Sequence, residues 1–217
     1  GVMLLLTGED RHALPSHLSY EKGYRARFLF GVSSDTHDAL GRLIRWEEHR
    51  PELRRCEAAV AAVGGVHRLK LPVWSAFKVR GRPLHSWAHE GRLGEIEVPD
   101  REMCVRGVAV LGAREVRPSS LLPEVLGRIG RVRGLFRQPE AEADWQALGL
   151  ADAPLVEVTA TLTVSSGTYI RSLAEEMGRN LACGALLLGL VRTSVGPFGA
   201  AAMVLGEAGE ALPPVSR

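Results

Sequence analysis

The sequence predicts a mixed α and β domain, on three observations. Val156, Val158, Ala160, Leu162 and Val164 alternate with Glu157, Thr159, Thr161 and Thr163, the two-residue period of a strand with one buried face. A second alternation sets Tyr24, Ala26, Phe28 and Phe30 against Arg25, Arg27 and Leu29, and predicts a strand with a basic outer face over residues 22–31. Beyond the first of these strands, Ile170, Leu173, Ala174, Met177 and Leu181 follow helical spacing. The 46% hydrophobic content of the 217 residues is enough for one large core.

In chain order, residues 1–7 read as a short buried strand that begins abruptly, as if inside a domain. Residues 9–18 carry helix formers interrupted by Pro15, which predicts a short or broken helix. After the strand at 22–31, Asp35-Thr36-His37-Asp38 predicts a tight turn ahead of residues 43–46, because Asp and Thr hydrogen-bond their own backbone. That chemistry accounts for these residues better than a two-carboxylate metal site does. Pro51 opens and Gly64-Gly65 close an amphipathic helix with Leu53, Cys56, Val60 and Val63 on its inner face. Residues 71–78 are extended, then a turn at Gly81 leads to a short helix over 83–90. His85 and His89 stand four apart on it, but no third ligand accompanies them, so no metal is expected.

Residues 95–98 and 103–111 read as two further strands. Residues 112–154 lose clear periodicity and concentrate Arg114, Arg117, Arg128, Arg131, Arg133 and Arg137; the reading here is an insertion or flexible lobe with one short helix near 123–129. Cys183-Gly184 end the helix that starts near residue 170, residues 186–191 form a buried strand, and Arg192 emerges from it. The Ala-, Gly- and Pro-rich residues from 199 on carry no assignment.

No apolar run is long enough to cross a bilayer, and the start lacks the features of a signal peptide, which predicts a soluble, cytoplasmic protein. Cys56, Cys104 and Cys183 are odd in number and far apart, so they read as buried small hydrophobes. The net charge is only +2, but Arg68, Lys70, Lys78, Arg80 and Arg82 follow one another with no acid between Val66 and Pro83, and Lys22, Arg25 and Arg27 form a second cluster. Local positive fields of this kind suit a phosphate backbone.

Chemistry is expected where the strand ending near Val164 gives way to the helix, in Ser-Ser-Gly-Thr-Tyr-Ile-Arg-Ser-Leu over residues 165–173. Gly167 lets the chain turn, and Ser165, Ser166 or Thr168 can cap the helix. Tyr169 and Arg171 then fall in its first turn. A helix N-terminus favours anions, so an arginine there calls for an acidic partner opposite.

Four blocks stand in order: GVMLLLTGE at 1–9, KGYRARFLFGVSSDTHDALG at 22–41, PVWSAFKVRGRPLHSWAHEG at 72–91 and SGTYIRSLAEEMGRNLACGALLLGLVR at 166–192. Together they resemble the bacterial TruB-type tRNA pseudouridine synthases, over about residues 1–112 and 155–198. The resemblance implies an α/β (α+β) pseudouridine-synthase fold, with a mainly antiparallel sheet and flanking helices. It implies a catalytic domain over 1–198, partial at its N-terminus and with an insertion at about 113–154, followed by a tail at 199–217. The implied reaction is a cofactor-free isomerisation of uridine in the T-loop of tRNA, by a monomer with no metal. It needs an extruded base, aromatic faces for stacking, cations for phosphates, and a carboxylate held ionised.

By the same resemblance, Tyr24 lies against the target base, Arg171 pairs with the catalytic aspartate, and Tyr169 is the aromatic beside it. Lys22 and Lys78 match basic positions near the RNA backbone, which Arg80 and Arg82 extend. Three departures stand out. The family's Gly-x-Leu-Asp-Pro segment, ahead of the position of Gly1, has no match in residues 1–217, so the nucleophile is expected outside this chain. Trp74 and His85 replace other aromatics, and residues 112–154 exceed the family's connection. Two other readings share the scaffold: a catalytically silent RNA-binding or RNA-folding protein, and a guide-RNA-dependent synthase.

Overall fold

The computed structural model describes residues 1–45, 50–134 and 136–199. A 3-10 turn over Gly8–Ala13 runs into α1 (Leu14–Leu18), where Pro15 sits in the first turn and its missing N–H leaves no bond unmade. Next come β1 (Lys22–Phe30), β2 (Val32–Ser34), β3 (Leu43–Arg45), α2 (Leu53–Ala61) and β4 (Gly65–Lys70). β5 (Lys78–Val79) and β6 (Arg82–Pro83) form a small hairpin through Arg80 and Gly81, both at positive φ, and lead into α3 (Leu84–His89). β7 (Asp100–Val116), α4 (Pro118–Ile129), α5 (Gln138–Ala151), β8 (Leu155–Val164), α6 (Ile170–Asn180), β9 (Ala185–Val195) and β10 (Phe198–Gly199) complete the order.

Six strands form one antiparallel sheet in the order β10, β9, β1, β8, β7, β4. The mixed fold and the mainly antiparallel sheet are those the sequence predicts. On one face, Ala26, Phe28 and Phe30 of β1 and the alternate valines of β8 pack against Cys56 and Val60 of α2 and Leu173 and Met177 of α6. On the other, Leu29, Leu155, Leu186 and Leu188 are covered by α4 and α5 through Leu121, Val125, Ile129, Trp145 and Leu148. Both faces are therefore apolar near the end of β1 where α4 and α5 pack, and the basic outer face is confined to Arg25 and Arg27.

Several expectations need correcting. Residues 1–7 form no strand: Val2 is buried and its N–H donates to the Arg192 carbonyl at 2.7 Å, but Met3 and Leu5 are exposed. Residues 95–98 form no strand either. Only a 3-10 turn spans Leu93–Glu95, while Ile96 and Val98 rest against a small cluster of Leu71, Leu84 and Met103, which imitates strand alternation without pairing. Residues 112–154 are not a loose lobe: β7 runs on to Val116 and two helices come after it, joined into a hairpin by a shared apolar interface. β4, unanticipated, pairs with β7. Trp46 and residues 200–217 lie outside the described residues.

Candidate active site

Gly167 makes the turn between β8 and α6 at φ +80°, and a side chain there would collide with Arg101. The expected cap is absent. Tyr169 is the N-cap residue and makes no side-chain cap bond, while Ser165 Oγ accepts from the Cys104 N–H at 3.2 Å and lies 3.1 Å from Thr168 Oγ1. These hydroxyls tie the junction to β7 instead of closing the helix.

Arg171, in the first turn of α6, reaches the turn between β2 and β3. Its Nη1 donates to Asp38 Oδ2 at 3.0 Å and to the Thr36 carbonyl at 3.3 Å, and its Nη2 donates to the Trp74 carbonyl at 3.3 Å. The acid that a cation at a helix start calls for is thus Asp38. The other oxygen of that carboxylate accepts from Thr36 Oγ1 at 2.8 Å and from the Leu40 N–H at 3.0 Å. Asp38 is consequently fixed by three donors, and its own backbone carbonyl accepts from Ser34 Oγ at 2.5 Å. With Arg171 24% and Asp38 21% exposed, the pair is screened less than one on open surface.

The turn is anchored to β9 as well, where the Leu187 N–H donates to the His37 carbonyl at 2.9 Å and the Ala39 N–H to the Leu187 carbonyl at 3.2 Å. His37 adopts φ +60° and its Nδ1 stands 3.7 Å from Glu175 Oε2. Burial pushes the His37 imidazole below its ordinary pKa; Glu175 opposes this and Arg171 adds to it.

The remaining predicted residues are distributed along the sheet and its edge. Tyr24 lies in β1 between Leu162 and Arg192, half-buried against the same apolar cluster that holds Ile170 of α6, so it shares a sheet face with that helix. Tyr169 packs on the Leu71, Leu84 and Met103 cluster. Lys22 Nζ donates to the Leu18 carbonyl at 2.8 Å and to Ser166 Oγ at 3.0 Å; burial and then Arg192 push its ammonium below the usual lysine range. Lys78 and Arg80 are exposed on the β5–β6 hairpin. Arg82 is tied down, paired with Glu90 and lying 4.6 Å from the Trp87 ring centre.

Among the described residues no cluster of His, Cys, Asp or Glu could hold a metal, and His85 Nδ1 lies 3.0 Å from the Ser75 carbonyl. No helix among them is long and apolar enough to cross a membrane.

Residues 1–122, more than half of the chain, match the sequence model of the TruB family pseudouridylate synthase N-terminal domain. The chain belongs to the TruB family. It is 32% identical over 210 residues to the tRNA pseudouridine synthase B of Xanthomonas euvesicatoria, covering 96% of this chain and 54% of that protein. To that of Thermobifida fusca it is 33% identical over 203 residues, covering 91% and 56%. The chain thus spans about half the length of these relatives. The solved Cbf5-Nop10-Gar1 complex is also similar, at 19% identity and TM-score 0.44, with 87% of this chain and 34% of that chain covered.

In this TruB-family chain, sequence reasoning found Arg171 and its need for an acid but not which acid. Asp38 read as turn chemistry, and half of that reading holds: Oδ1 makes the turn while Oδ2 makes the ion pair. The unbalanced cation at the helix start was the one signal in the sequence that pointed across 133 residues to it.

Proposed function

We propose that this chain is the larger part of the catalytic domain, over 1–198, of an enzyme that isomerises uridine to pseudouridine in the T-loop of tRNA. The observation that carries the reading is the state of Arg171. Its Nη1 is committed to Asp38 and Thr36, and Nη2 to Trp74, but a guanidinium has five N–H donors in a planar fork. Asp38 orients the fork and is itself saturated on Oδ1, which suits it to hold a cation in place rather than to attack a sugar or base. The free donors suit a second carboxylate, the nucleophile, supplied by a Gly-x-Leu-Asp-Pro segment outside residues 1–217.

In this reading the target base is extruded from the T-loop and rests against Tyr24, while the nucleophile, held ionised by Arg171, acts on it; detached uracil rejoins its ribose through carbon. Tyr169 is the aromatic beside the pair. Lys22, Lys78, Arg80 and Arg82 serve the RNA backbone. Lys78 and Arg80 are free to do so as they stand, whereas Lys22 and Arg82 must first exchange the protein partners they hold. The enzyme works as a cytoplasmic monomer without cofactor.

The test is nucleoside analysis of a T-stem-loop transcript. Full-length protein, without guide RNA, converts the target uridine; the 217-residue chain binds the same RNA with an affinity that falls steeply with salt, and converts none. Binding without conversion by the full-length protein would make it a silent RNA-binding protein, and conversion only with a guide RNA would make it a guide-dependent synthase. Conversion by the 217-residue chain would place the nucleophile inside it, at Asp35 or Asp38.

A further inference from the structure

The turn that presents Asp38 to Arg171 is held not only by β9 but also by α5, the second helix of the α4–α5 hairpin. The fully buried Trp145 donates its indole N–H to the Ala39 carbonyl at 2.9 Å, one residue from Asp38. Asp144 closes the far end of the turn, accepting from Arg42 Nε at 2.6 Å and from the Leu43 N–H at 3.0 Å. At the near end, Arg137 Nη1 reaches Asp35 Oδ2 at 2.6 Å, and Asp35 Oδ1 accepts from the Arg42 N–H at 2.9 Å. The two ends of the turn are therefore held both to each other and to α5.

Arg137 has a second contact that matters more. Its guanidinium lies 4.6 Å from the centre of the Trp74 ring, and the carbonyl of Trp74 is the acceptor for Arg171 Nη2. Arg137 thereby touches the support of both members of the pair: the turn carrying Asp38, and the segment whose carbonyl orients Arg171. It does so from φ +56°, a backbone conformation uncommon for arginine.

We propose that the α4–α5 hairpin is a positioning element for the Asp38–Arg171 pair, with Arg137 and Trp145 as its positioning residues. A hairpin that merely covered the apolar outer face of β1 and β9 would need Leu121, Val125, Ile129 and Leu148, but neither an indole N–H aimed at the Ala39 carbonyl nor a guanidinium between Asp35 and Trp74. The catalytic part of the proposal rests on the isomerase reading above; the mechanical part does not.

The experiment uses the full-length protein and two readouts. In steady-state conversion of T-stem-loop RNA, Arg137→Gln lowers kcat about tenfold or more with KM within about threefold, since a misplacement near 1 Å reaches roughly a hundredfold. Arg137→Lys, which keeps a cation for Asp35, recovers most of the loss, and Trp145→Phe behaves like Arg137→Gln. In amide hydrogen exchange, both Arg137→Gln and Trp145→Phe speed exchange at residues 39–43 about tenfold while the amides of β8 keep their protection, because the opening is local. The core variant Val125→Ala changes global stability without this local signature. Exchange that rises evenly over the sheet, or Gln and Phe variants within about twofold of parent kcat while folded, overturns the proposal. If the unsubstituted protein converts no uridine, the isomerase reading falls, and the exchange measurement alone decides whether the hairpin positions the pair.

Discussion

A Cβ placed on Gly178 in α6 would stand 2.1 Å from the backbone nitrogen of Ala185, the first residue of β9. The carbonyl of Gly178 also accepts the N–H groups of Cys183 and Gly184, at 3.1 and 3.2 Å. Helix and strand therefore meet backbone to backbone, and no side-chain movement can relieve an added methyl. Gly178→Ala is expected to destabilise the fold by about 3 kcal/mol, the upper range of overpacking. Urea unfolding measures this, and a loss below about 1 kcal/mol would mean that α6 can shift away from β9 at small cost.

Arg171→Met in the full-length protein is expected to abolish turnover and leave the fold largely intact. It removes the cation that orients the nucleophile, and a hydrogen bond to a charged group is worth about 1.5–3 kcal/mol. Asp38 keeps its bonds to Thr36 and Leu40, so the turn itself survives. Tritium release from labelled uridine within about tenfold of the parent rate, a change of ~1.4 kcal/mol, would show that Arg171 has no such role.

Tyr24→Ala is expected to reduce the single-turnover rate more than the RNA affinity. Stacking on one extruded base is worth roughly 1–3 kcal/mol, whereas phosphate contacts carry most of the binding. Equal losses in the two measurements would mark Tyr24 as a packing residue of the sheet face it shares with α6.

Stability is expected to fall in acid through Glu157, which is 4% exposed in β8 and paired with Arg27 at 2.6 Å and Arg114 at 2.8 Å. Burial alone would raise its pKa, but the hydrogen bonds and charges of the two arginines prevail and hold it below the usual glutamate value. Because the folded pKa is depressed, this contribution is complete above the unfolded pKa, about 4.3, and is lost as pH falls through the folded value. Glu157→Gln is expected to cost about 2 kcal/mol at neutral pH and to flatten the acid limb of the stability curve. An unchanged limb would mean that other carboxylates set it.

What was legible in the sequence was what a local period can encode. β1 and β8 each have one face wholly apolar, so their alternation named the core correctly, as did the stripe on α6. Of the α4–α5 hairpin only a short helix near 123–129 was legible, because Pro123 lies inside α4 and in α5 the core positions Ala141, Trp145 and Leu148 stand among Glu140, Glu142 and Asp144. The 95–98 segment misled for the converse reason, since Ile96 and Val98 alternate in order to pack and not to pair. Asp38 could be identified as a turn residue but not as the partner of Arg171, because nothing local links residues brought together only by the fold.

β1 lies at the middle of the sheet, yet both of its neighbours, β8 and β9, come late in the chain, with Phe30 opposite Val156 and Ala185. On the ribosome, β1 must therefore wait until β8 and β9 are made. Until residues 155–195 emerge, Phe28, Leu29 and Phe30 have no partner strand, and both edges of β1 remain open to pairing with another chain. Sheets closed by such distant contacts form slowly, and their unpaired intermediates are prone to aggregate. Nascent chains arrested before β8 is complete should accordingly stay protease-sensitive and bind chaperones, and protection should appear abruptly once β9 has left the exit tunnel.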